Sequence, residues 1–169
     1  MAKLVVFYSR ADENYFCGER RYIKIGNTER AAEKIAELTG ADLFKIEQEV
    51  PYAADYKTCV AQAREHWRTK ARPALASVPE NIDGYDEVYL GYPNYCGDMP
   101  MAVYSFLEHF DWTGKVIHPF CTHEGSGLSD TVRKIERPVR AQLLPRGWPF
   151  TEAVWTVQMT PLKAGCNNG

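Results

Sequence analysis

The run Leu4-Val5-Val6-Phe7-Tyr8 constrains this chain most, because it is apolar at every position. A strand with one wet face alternates, whereas an unbroken apolar run of this length reads as a strand buried on both faces, the habit of parallel sheets. The run ends in Ser9 and Arg10. After an interruption at 11–25, Gly26-Asn27-Thr28 opens a helical pattern in which Ala31, Ala32, Ile35 and Ala36 share one face and Gly40 ends it. A strand, a hydroxyl-rich turn and a helix N-terminus can hold a phosphate without a metal, since the first helical N–H groups lack intrahelical partners and carry the positive end of the dipole. Taken alone, the stretch divides evenly between that role and an ordinary strand, loop and capped helix.

Later segments repeat the theme. Residues 42–47 form a more polar strand, expected at a sheet edge. Tyr56, Val60, Ala63 and Trp67 make a helical stripe, and 87–92 is an apolar strand running into Pro93, Asn94, Tyr95, Cys96, Gly97 and Asp98. A third helix carries Val103, Phe106, Leu107 and Phe110. A fourth strand, 115–121, ends in Thr122, His123, Glu124, Gly125, Ser126 and Gly127. Leu128, Val132, Ile135 and Val139 give a fourth helix, expected to bend or stop near Pro138. A fifth strand is expected at 152–159, with a tail at 160–169 and no fifth helix. Within 11–25, Tyr15-Phe16 and 22–25 flank Cys17-Gly18-Glu19 and read as a small hairpin.

Alternation of strand and helix implies one α/β domain over 1–169, a parallel sheet with helices on both faces. In a five-stranded sheet of order 2-1-3-4-5, the loops after strands 1, 3 and 4 meet beyond the carboxyl edge, where such folds bind ligands. The first loop offers a phosphate cradle in Ser9, Asn27 and Thr28. The second offers Tyr95 as a flat aromatic and Gly97 for close backbone approach; the third offers Thr122, Ser126 and the small Gly125 and Gly127 for the edge of a ring. A phosphate joined to a flat polar heterocycle describes flavin mononucleotide (FMN). The Gly-x-Gly-x-x-Gly fingerprint of dinucleotide sites is absent after the first strand.

The strand-1 turn, Tyr92-Pro93, Met99-Pro100 and especially 119–127, Pro-Phe-Cys-Thr-His-Glu-Gly-Ser-Gly, resemble the flavodoxin-like FMN proteins, in particular the branch whose phosphate loop reads Ser-Arg-Thr-Gly-Asn-Thr. The likeness runs from about Lys3 to Ile135. It implies a three-layer flavodoxin-like sandwich with FMN as cofactor. Ser9, Arg10, Gly26, Asn27 and Thr28 would belong to the phosphate loop; Pro93, Asn94, Tyr95, Cys96 and Gly97, with Thr122, His123, Glu124, Gly125, Ser126 and Gly127, would flank the ring. Three departures stand out: the insertion 11–25, Tyr95-Cys96 where relatives often carry two tryptophans, and no final helix. The last leaves Val154, Trp155 and Val157 as candidates for an uncovered surface, and a homodimer or a swapped tail is expected.

Several residues have bland alternatives. His123 either donates near the ring or orders its loop, and Cys96 is more simply a bystander thiol. Cys121 reads as core, His66 and His109 as surface, and Trp67, Trp112, Trp148 and Trp155 as core or interface. Arg20 and Arg21 read as a solvated hairpin tip. The insertion has three possible parts, as a wall beside the flavin, as a dimer contact or as decoration; the first is preferred.

Composition excludes much else. The chain is 45% hydrophobic and 25% charged with net charge −2, so it has the means for a core and lacks the basic surface of a nucleic-acid binder. Five scattered cysteines, none in a Cys-x-x-Cys pair, fit a reduced, cytoplasmic setting. No run spans a bilayer, and no metal or nucleophile constellation is evident. The expected activity is redox chemistry with non-covalent FMN, by an electron-transfer protein or by an oxidoreductase that takes a nicotinamide or a quinone. The alternative is a binding or regulatory module that has lost its flavin.

Overall fold

The computed structural model describes residues 2–16 and 18–141. Strand β1 (Ala2–Tyr8) is followed by a hairpin, β2 (Asp12–Phe16) and β3 (Glu19–Ile23). Then come α1 (Asn27–Thr39), β4 (Asp42–Ile46), α2 (Tyr56–Thr69), β5 (Tyr85–Pro93), α3 (Met101–Leu107), β6 (Val116–Thr122) and α4 (Thr131–Ala141). β4, β1, β5 and β6 lie in that order in one sheet, every pair parallel. This is the expected order for the first four sheet strands, with β4 at an edge. The expected strand at 152–159 and the residues Trp148 and Trp155 lie outside the described residues, as do the thiols Cys17 and Cys166.

The unbroken run in β1 has the predicted cause. Val5 and Phe7 enter a core with Ala31, Ala32 and Ala36 of α1 and with Phe120. Leu4, Val6 and Tyr8 enter the opposite core with Val88, Leu90, Tyr92 and residues of α2 and α3. Alternate side chains serve opposite faces, and both faces are covered. Small alanines let α1 approach the sheet closely. Trp112, expected in core or interface, is 1% exposed, and its indole N–H donates to the Leu107 carbonyl at 2.7 Å. Gly91 fits against the Phe120 ring so tightly that a Cβ there would sit 2.2 Å from Cζ.

Two helices differ from expectation. In α2 the buried residues are Cys59 and Ala63, while Trp67 is 45% exposed and its indole donates to Asp98 at 3.2 Å. The buried stripe is therefore displaced from the Tyr56–Trp67 pattern, and Tyr56, Cys59, Val60 and Ala63 all line a cleft. His66, expected at the surface, is half-buried and shares a 2.9 Å hydrogen bond with the Tyr52 hydroxyl. α4 does not end at Pro138 but runs to Ala141; its start is fixed by Thr131, whose hydroxyl meets that of Tyr92 at 2.7 Å.

Candidate functional site

The insertion is a hairpin outside the main sheet, and its two ends meet. Gly26 lies so close to Ser9 and Arg10 that a Cβ on it would stand 2.1 Å from Ser9 Oγ and 2.6 Å from the Arg10 carbonyl. Thus residues separated by the whole of 11–25 form one continuous turn. Gly26, the N-cap of α1, has no side chain to cap with, and Ser9 supplies the missing acceptor: the Glu29 N–H donates to Ser9 Oγ at 3.0 Å. The Arg30 N–H donates to the Gly26 carbonyl. Among the described residues, the N–H groups of Asn27 and Thr28 have no partner, which leaves them for an anion at the positive end of the helix. Thr28 is buried, and its hydroxyl meets that of Thr122 at 2.7 Å, joining the turn after β1 to the loop after β6.

The loop after β5 is tied to the loop after β6. Asn94 donates through its side-chain amide to the Gly127 carbonyl at 3.0 Å and to Ser129 at 3.2 Å, and its backbone N–H donates to the Thr122 carbonyl. The same side chain accepts from the Gly97 N–H at 3.0 Å. Tyr95 and Asp98 exchange backbone hydrogen bonds around Cys96 and Gly97, both with positive φ (56° and 77°), as in a type I′ turn. Asp98 anchors this turn from within: it is buried and takes hydrogen bonds from Tyr104, Lys134 and its neighbour's Met99 N–H, each at 2.8 Å.

The structure adds detail to the expectations for three single residues. The Tyr95 ring is not a free platform. It packs edge-on to Tyr8 (centroids 6.3 Å apart) and tilted to Tyr52 (6.4 Å), and burial pushes its phenol well above the ordinary value. Arg10 reaches the cleft, but its guanidinium donates to the carbonyls of Glu13, Ala53 and Ala54 at 2.5–2.7 Å. It positions the hairpin through these bonds, and its buried Nε has no partner among the described residues. His123 orders its loop: its Nδ1 accepts from the Gly125 N–H at 2.9 Å.

These elements surround a cleft of about 840 Å³ beyond the carboxyl edge of β1, β5 and β6, within the size range of sites for small molecules and cofactors. Of the sequence-predicted residues, Ser9, Arg10, Asn27, Thr28, Pro93, Asn94, Tyr95, Cys96, Thr122, His123, Glu124 and Ser126 line it. Gly26 is buried beneath the turn, and Gly97, Gly125 and Gly127 shape the loops with φ of 77°, 134° and 64°. The sequence did not single out Asn14, Tyr56, Cys59, Arg30, Lys34 or Arg64 as lining residues. The hairpin wall explains part of that set. Glu13 accepts from the Tyr56 N–H at 2.9 Å, and Tyr15 stacks on Tyr56 with centroids 6.1 Å apart and planes 25° apart. The exposed aromatic surface of the cleft therefore comes from the insertion. The thiol of Cys59 is raised by burial, whereas Cys96 is exposed. Among the described residues no group of His, Cys, Asp and Glu is placed to hold a metal ion, and no helix is long and apolar enough to cross a membrane.

The donor set fits a nucleotide-like cofactor: two open helical N–H groups and a hydroxyl pair at one part of the cleft, two mutually braced loops at another. A family model described as flavodoxin matches residues 21–150. Among solved structures, a protein described as a flavoprotein from Bacteroides eggerthii DSM 20697 is 29% identical, with 80% of this chain and 79% of that one covered at a TM-score of 0.66. One from Bacteroides uniformis ATCC 8492 is 26% identical over 80% and 81% at 0.66. A flavoprotein from Lactobacillus acidophilus NCFM, solved in complex with FMN, is 18% identical over 82% and 85% at 0.62, a likeness of fold. No curated protein sequence matches the chain significantly.

Proposed function

The chain belongs to the flavodoxin family, and from that premise we propose that it binds FMN non-covalently in the cleft and works as a redox protein, an oxidoreductase or electron carrier. The observation that carries this is the turn rebuilt across the insertion, with the Asn27 and Thr28 N–H groups open and Ser9 and Thr28 hydroxyls beside them. A bound flavin supplies the one- or two-electron chemistry. The protein's part is to grip the phosphate through α1, to present the loops of Asn94 and Thr122 to the ring, and to exclude water with the hairpin. Tyr95 offers only part of its ring to the cleft, since it also packs against Tyr8 and Tyr52.

Titration of the flavin-free protein with FMN, followed by fluorescence quenching, tests the reading. Saturable one-to-one binding is expected, weakened at least about tenfold in Asn27→Ala/Thr28→Ala, which keeps the backbone N–H groups but removes the side-chain amide and hydroxyl beside them, since a hydrogen bond to a charged group contributes roughly 1.5–3 kcal/mol. A colourless protein that ignores added FMN supports a module without flavin instead. A homodimer is also proposed, as a cover for the apolar residues that the sequence carries at 152–159, among them Val154, Trp155 and Val157. Light scattering behind size exclusion is expected to give twice the chain mass of 19.2 kDa; a monomer at micromolar concentration rejects it.

A further inference from the structure

The cleft carries more positive charge than one flavin phosphate needs. Arg10, Arg21, Arg30, Lys34 and Arg64 line it against a single carboxylate, Glu124, in a chain of net charge −2. Arg10 is committed to backbone carbonyls. The remaining cations are not spread evenly. The face of the hairpin bearing Glu13, Tyr15 and Arg20 is spent on α2, through the Tyr56 N–H, the Tyr56 ring and the Arg20–Glu13 pair. Alternation along β2 and β3 turns Asn14, Phe16 and Arg21 to the other face; all three line the cleft, and from the first face Tyr15 reaches it as well.

α1 adds Arg30 and Lys34, four residues apart on one ridge. Like charges at that spacing repel and weaken a helix. Among the described residues Arg30 has no ion pair, and the partners of Arg21 and Lys34, Glu19 and Glu37, are exposed. Exposed pairs of this kind hold their partners weakly. Two elements thus bring three cations, none held by a buried partner, to the lining of one cleft, together with the half-buried ring of Phe16.

We propose that Arg21, Arg30 and Lys34 form a subsite for the phosphates of a second, dissociable nucleotide of the nicotinamide dinucleotide class, with Phe16 against a ring of that ligand. This rests on the flavin reading, because it gives the flavodoxin cleft its co-substrate. The phosphate loop at Asn27 and Thr28 stays with FMN; the cation wall is a separate grip. A focused positive wall in a net negative chain also steers a polyanionic ligand towards the cleft.

Calorimetric titration of the FMN-loaded protein with NADP⁺ and with NAD⁺ tests it. Saturable binding of at least one is expected. Arg30→Gln/Lys34→Gln should weaken it about tenfold or more, as loss of two charged contacts implies. Raising salt from about 50 to about 500 mM should weaken it as well, by screening. FMN affinity of the variant, read by fluorescence quenching, should stay within about twofold, since the N–H groups and hydroxyls that grip its phosphate are untouched. The proposal is overturned if neither dinucleotide binds, if binding ignores the substitutions, or if FMN affinity falls in step with them, which would assign the cations to the flavin phosphate. Should the wild-type chain bind no FMN, the flavin reading fails on its own, and titration of the flavin-free protein with NADP⁺ still decides whether the cation wall holds a dinucleotide.

Discussion

Gly26 and Gly91 are both positions where the space beside a backbone is already filled, yet the consequences differ. At Gly26 the obstacle is Ser9 Oγ at 2.1 Å from a built Cβ; at Gly91 it is the Phe120 ring at 2.2 Å. Gly26→Ala pushes Ser9 away from the Glu29 N–H and opens the rebuilt turn. It should lower FMN affinity at least about tenfold, by loss of cap and charged contacts. Gly91→Ala overpacks the core and should cost about 1–3 kcal/mol of stability, with FMN affinity in the folded fraction unchanged. Urea unfolding and FMN titration on both variants separate the two; equal loss of FMN binding by both would show that Gly26 has no special tie to the site. At this scale the sequence was only partly legible. Ser9, Asn27 and Thr28 were readable because a strand end and a helix start lie at predictable places. The inward turn of the Tyr95 ring was not, since it depends on positive φ at Cys96 as well as Gly97, and only the glycine announces that conformation.

The elements were legible where two-sided burial writes an unbroken apolar run, as in β1, and less so where one helix serves two environments. α2 shows this: Cys59 and Ala63 are buried in the core and, with Tyr56 and Val60, also line the cleft, so a stripe drawn for the core alone misses half of what the helix does. The hairpin was foreseeable from Gly18 and its flanking aromatics, but not its seat, because Arg10 finds Ala53 and Ala54 more than forty residues along the chain. That seat rests on few groups. Arg10→Ala removes three hydrogen bonds from a cation and should release the hairpin at a cost of about 3 kcal/mol. Limited proteolysis should then cut within 11–25 while the α/β core stays intact; resistance equal to wild type would mean that Glu13 and the Tyr15–Tyr56 stack suffice.

For the whole molecule, the core is rich in groups that ionise only with difficulty. Burial is the first cause in raising the phenols of Tyr8, Tyr92, Tyr95 and Tyr104 above 10.0, in moving Tyr52 up to about 12, and in taking the Cys121 thiol from 9.0 to about 12. Each group keeps its proton longer in the folded chain than in the unfolded one. As pH rises past the unfolded values of 9.0 and 10.0, the unfolded chain gains charge that the folded chain cannot, so stability falls. The contribution is intact below pH 9.0 and is lost progressively towards pH 12. The urea midpoint should therefore be flat in these groups from neutral pH to about 9 and then decline, with the share of tyrosinate absorbance that belongs to these buried phenols appearing together with unfolding. Full tyrosinate absorbance below the unfolding transition would contradict the burial described.

The meeting of Ser9, Arg10 and Gly26 has one more implication. Because the chain departs from the phosphate turn and returns to it at adjoining atoms, the segment between is a side branch, whose presence alters neither the register of β1 nor the start of α1. On the function proposed above, what grips the cofactor and what walls its cleft are then recorded on separate stretches of sequence. Such a branch can be lengthened, recoded or exchanged as a unit while the turn that joins β1 to α1 keeps its geometry, so the wall of the cleft is free to vary without a new fold.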